Sequence, residues 1–128
     1  MNTSPEDRYF RCYFSFLSLL FGSDNSAKLS DAALIIAEHF NLKPIAVIYR
    51  ECTEAGETCR SANITTTMLD RPDKETQKII DKIRESLGRF EYRYDEVIKY
   101  LEKKEDAAVI ELNDGFNAAV IIAKVKSR

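Results

Sequence analysis

The sequence predicts an α+β fold in two layers. It consists of a mostly antiparallel four-stranded sheet, built from two hairpins, packed against four helices in the order ααββααββ. Three observations carry this expectation. Four segments open with helix-start residues and continue with apolar residues at helical spacing. Two pairs of strand-like segments are each joined by a turn-forming stretch. The chain has 128 residues, 45% of them hydrophobic, which suits one core and a single domain over 1–128.

The elements follow in order. Ser4-Pro5-Glu6-Asp7 is a helix start: Ser caps, Pro fits the first helical position, and two acids meet the positive end of the helix dipole. The predicted helix covers 5–21 and stops at Gly22. Its second half is apolar on all sides. Ser30 caps a second predicted helix over 31–41, with Ala32, Ile35, Ile36 and Phe40 on one stripe. Pro44 bars its continuation. Residues 45–49 are apolar on both faces, as in a central strand. Residues 53–58, which include Gly56, form a hairpin loop, and 59–69 the return strand, with Ile64 and Met68 on one face.

Asp70-Arg71-Pro72-Asp73 ends that strand and starts a third helix over 74–87. Its stripe is Ile79, Ile80, Ile83 and Leu87, and Gly88 closes it. Asp95 caps a fourth helix over 96–105, with Val97, Ile98 and Leu101 inward. Residues 107–112 and 116–126 are strands joined by Asn113-Asp114-Gly115, where Asp-Gly supplies the backbone angles of a tight hairpin. Segments 30–69 and 95–126 both read helix, strand, turn, strand, which raises an internal duplication.

The charge balance excludes a polycation that coats nucleic acid. There are 19 basic and 21 acidic residues, for a net charge of -2. Ten residues, 12–21, form the longest apolar stretch, too short to cross a bilayer. The acidic flank Glu6-Asp7 and the absence of a clean cleavage site argue against a signal peptide. The expected location is cytoplasmic, although Asn63-Ile64-Thr65 matches a glycosylation acceptor. No cofactor is expected.

His39 is the only histidine, and no nucleophile motif accompanies it. Cys52 and Cys59 are spaced too far apart for a zinc knuckle, so no metal site is expected. Across a hairpin centred near Gly56 they fall opposite each other, which suits a disulfide. A cytosol disfavours such bonds, but hyperthermophile interiors tolerate them, and the Ile, Lys and Glu content leans slightly that way.

Three functions follow as expectations. The leading one is a small non-catalytic protein that associates with a protein partner or itself, as a regulatory or accessory subunit. Its interface would be the first helix, through Tyr9, Phe10, Tyr13, Phe14, Phe16, Leu17, Leu20 and Phe21, because a small domain cannot hide aromatics on every side of a helix. A homodimer is the simplest form. The alternative is a nucleic-acid-binding module in which Lys74, Lys78, Lys82, Arg89 and Arg93 meet phosphates and Phe90 and Tyr92 stack on bases. The third is a small-molecule site or enzyme with a pocket near His39, Tyr49 and Glu51.

Overall fold

A computed structural model describes residues 5–13, 25–52, 62–89, 94–113 and 117–126. A 3-10 turn, Pro5–Arg8, leads into β1, Tyr9–Tyr13. Then come α1 (Asn25–His39), β2 (Leu42–Cys52), β3 (Ala62–Met68), α2 (Lys74–Arg89), α3 (Tyr94–Lys103), β4 (Ala107–Asn113) and β5 (Ala118–Val125).

The strands form one mixed sheet in the order β1-β4-β5-β2-β3. β1 is parallel to β4, and the other three pairings are antiparallel. This corrects the expected four-stranded antiparallel sheet with four helices. Residues 9–13 are strand, residues 5–8 a 3-10 turn, and the rest of the predicted first helix lies outside the described residues. Tyr9 faces one core and Phe10 the other, as in a strand covered on both faces. Tyr and Phe also favour the pleated backbone.

The two-layer expectation is corrected as well, because apolar clusters lie on both faces of the sheet. One joins Ile79, Ile80, Ile83 and Leu87 of α2 and Val97 and Leu101 of α3 to Ile48, Val109, Val120 and Ile122. Burying each of these large side chains stabilises the fold by about 1.5–3 kcal/mol. The other face is covered by α1. Ala33 and Ala37 sit fully buried there, in one cluster with Ala108, Ala119 and Ala123. Small side chains on both surfaces let the helix lie close to the strands.

Local chemistry sets the boundaries. α1 begins earlier than Ser30 suggests and ends where Asn41 takes a left-handed φ of 57°. The amide of Asn41 donates to the carbonyl of Glu38, and the chain turns into β2. β2 absorbs Pro44 at a register shift between Pro44 and Ala46, beyond the last residue paired to β3. α2 and the pair β4 and β5 lie close to where their apolar stripe and Asp-Gly turn place them.

Candidate functional site

Three polar or exposed regions stand out. The first surrounds Glu111, whose side chain is 3% exposed. Register places Tyr9, Arg11 and Glu111 on one face of neighbouring strands. The hydroxyl of Tyr9 donates to Oε2 of Glu111 at 2.8 Å, and Nε of Arg11 lies 3.2 Å from the same oxygen. Nδ2 of Asn113 donates to Oε1 at 3.3 Å. A buried carboxylate is tolerable only with such partners. The first two contacts fix β1 to the end of β4, and the third, within β4, holds the carboxylate in place. Just before β1, the guanidinium of Arg8 donates to the carbonyls of Leu101 (2.8 Å), Ala107 (3.2 Å) and Lys104. It thereby caps the negative end of α3. Burial lowers the pKa of Arg8, opposed by the nearby charges of Glu105 and Asp106.

The second region is a cavity of about 200 Å³ at the opposite end of the sheet, lined by Lys43, Asp70, Arg71, Asp73, Lys104, Asp106 and Lys124 among others. Lys104 Nζ lies 2.6 Å from Asp73 and 2.8 Å from Asp106, and Lys43 lies 2.8 Å from Asp70. Asp73 also caps α2 by accepting from the amide of Thr76. The hydrogen bond from Lys104, followed by that from Thr76, holds the carboxyl of Asp73 down at about 2. The ion pairs of Lys104 tie the start of α2 to the turn before β4.

The third region is the outer edge of β3. Among the described residues its only strand neighbour is β2. Asn63, Thr65 and Thr67 share a face with Glu51, Tyr49 and Val47 and are all exposed. Ile64, Thr66 and Met68 face α2, and Met68 and Leu69 are 45% and 51% exposed.

The residues singled out from sequence are dispersed. Of the predicted interface set, Tyr9 is buried and Phe10 stacks on Phe40 with ring centroids 4.9 Å apart. The backbone of Tyr13 pairs with Asn113, and Phe14, Phe16, Leu17, Leu20 and Phe21 lie outside the described residues. Of the basic set, Lys78 pairs with Glu75, Lys82 with Glu96 and Arg89 with Glu85. Lys74 is exposed, and Phe90, Tyr92 and Arg93 lie outside the described residues. Cys52 is disulfide-bonded, and Cys59 lies outside the described residues. His39 sits at the end of α1, edge-on to Phe40. Glu51 is at the far end of β2, about 30 Å along the strand.

Sequence reasoning missed Glu111 and the β3 edge. The first left only a faint signal, a lone carboxylate in an otherwise apolar strand. The second left an uncharged, threonine-rich strand, informative once its place in the sheet is known. Among the described residues no group of three or more His, Cys, Asp or Glu is placed to hold a metal, and no helix is long and apolar enough to cross a membrane. No family model, curated protein or solved structure matches this chain.

Proposed function

We propose that this chain is a non-catalytic cytoplasmic protein that acts by association, as a regulatory or accessory subunit, and that it docks through the outer edge of β3. The uncharged edge carries this reading. Ala62–Met68 contains no Lys, Arg, Asp, Glu or Pro, the residues that blunt edge strands. The main-chain groups facing away from β2 form a template that an extended segment can complete. Met68 and Leu69 add exposed apolar surface at one end. A disulfide at Cys52 fits a cytoplasmic setting where the interior tolerates such bonds, as in hyperthermophiles. The ion pairs of Lys78, Lys82 and Arg89 reduce the basic surface on which nucleic-acid binding would draw.

The test is a titration of the isotope-labelled protein with a synthetic peptide of residues 62–69. Strand addition shifts the amide signals of β3 and slows their hydrogen exchange. In a chain that sediments at 14.7 kDa, amides that stay unmoved at about 1 mM peptide, the weak limit of useful recognition, overturn the reading.

A further inference from the structure

We propose that the partner at β3 is a second copy of this chain, related by a two-fold axis perpendicular to the sheet, so that two five-stranded sheets join into one. This rests on the association reading above and names its partner. The strand chemistry permits it. Because β3 carries no charge, antiparallel pairing with its own copy sets no like charges opposite each other in any register. With the axis at Thr65, that residue faces the partner's Thr65, and Asn63 faces the partner's Thr67.

Helix placement supports the same occupant. α2 packs over β2 and β3, with Ile64 against its cluster. Neighbouring strands lie ~4.8 Å apart, so joining the two β3 strands brings the two α2 helices to roughly 10 Å, antiparallel and within helix-packing range. A peptide or an unrelated strand brings no such helix.

Charge complementarity then selects self. Beside Ile64, the outer row of α2 presents Asp81, Arg84 and Glu85 around a shallow depression. Asp81 accepts from Gln77, and Glu85 pairs with Arg89. Arg84 forms no ion pair among the described residues. In the antiparallel pair, Arg84 of each copy faces the acidic groups of the other, the partner's Asp81 first. One mixed-sign row thus becomes two reciprocal ion-pair clusters, a pattern that an isologous interface requires.

Light scattering and sedimentation of the full chain across a concentration series test this. The wild type is expected at twice the 14.7 kDa chain mass. Arg84→Asp and Thr65→Lys are expected to weaken the dimer about tenfold or more, since like charges then meet across the axis. Both positions are exposed, so circular dichroism should stay that of the wild type. The double exchange Asp81→Arg with Arg84→Asp should restore most of the affinity. A chain of 14.7 kDa at every concentration overturns the proposal, as does a dimer indifferent to these variants. If residues 62–69 still bind as a peptide, only the identity of the partner falls. If they do not, the association reading falls too.

Discussion

The two edges of the sheet are held in opposite ways. β1 has five residues and is fastened by side chains: Tyr9 and Arg11 to Glu111, with Arg8 reaching the end of α3 just before it. β3 has seven residues, and its register rests on the main-chain ladder to β2, with exposed threonines alternating along it. The contrast shows that an edge position alone does not make a docking surface. Where buried polar anchors hold a strand and a half-exposed arginine guards it, the edge belongs to the body of the protein. Where the main-chain ladder and the packing of Ile64 hold it and no charge stands guard, the edge is the one proposed to take another strand.

Glu111→Ala is the severest way to break this contrast. It strands Tyr9 and Asn113 without their buried acceptor, and unfolding in urea should show a loss of about 3–5 kcal/mol. A loss below about 1 kcal/mol, the worth of an exposed pair, would mean that β1 is no better anchored than β3. Arg8→Ala comes next. It leaves the carbonyls of Leu101 and Ala107 without a charged donor and should lose about 2–3 kcal/mol, with faster amide exchange in the last turn of α3.

A smaller effect, read by pH, belongs to the end of the molecule away from Glu111. Asp73 has a folded pKa of about 2 against an ordinary value of 3.8. Its stabilisation is therefore fully present above the ordinary value and lost as pH falls through 3.8 towards 2. The side chain is 55% exposed, so solvent screening holds the effect of Asp73→Ala to about 1 kcal/mol at neutral pH. The difference between wild type and variant should close below pH 2 in acid titrations of stability. The smallest effect sharpens the contrast from the other side. Thr65→Lys should change the stability of the monomer by less than about 0.5 kcal/mol in thermal unfolding, because its side chain is solvated there.

Local signals made several elements legible. The stripe Ile79, Ile80, Ile83 and Leu87 marks α2 because a surface helix must present one apolar face, and the structure buries all four residues. Asp114-Gly115 separates β4 from β5 in the sequence because Asp-Gly favours tight turns, and the strands pair on either side of it, although 114–116 lie outside the described residues. β1 was not legible as a strand. Its partner β4 is remote in sequence, and Ser4-Pro5-Glu6-Asp7 signals a helix that extends here only through a 3-10 turn. Glu111 was hidden for a related reason. Between Ile110 and Leu112 it resembles the solvent side of a half-exposed strand, and only the covering helices and β1 make its burial apparent. The edge position of β3 depends on strand order, which no local pattern records.

The parallel pairing of β1 with β4 also bears on synthesis. Tyr9 and Glu111 are 102 residues apart, so a ribosome releases the first long before the second exists. The antiparallel core of β2, β4 and β5 has shorter loops to close and can assemble first. Until β4 emerges, Tyr9–Tyr13 is an unsheltered aromatic segment. Nascent chains of this protein should therefore be most prone to aggregation, and most attractive to chaperones, until the hairpin of β4 and β5 leaves the exit tunnel.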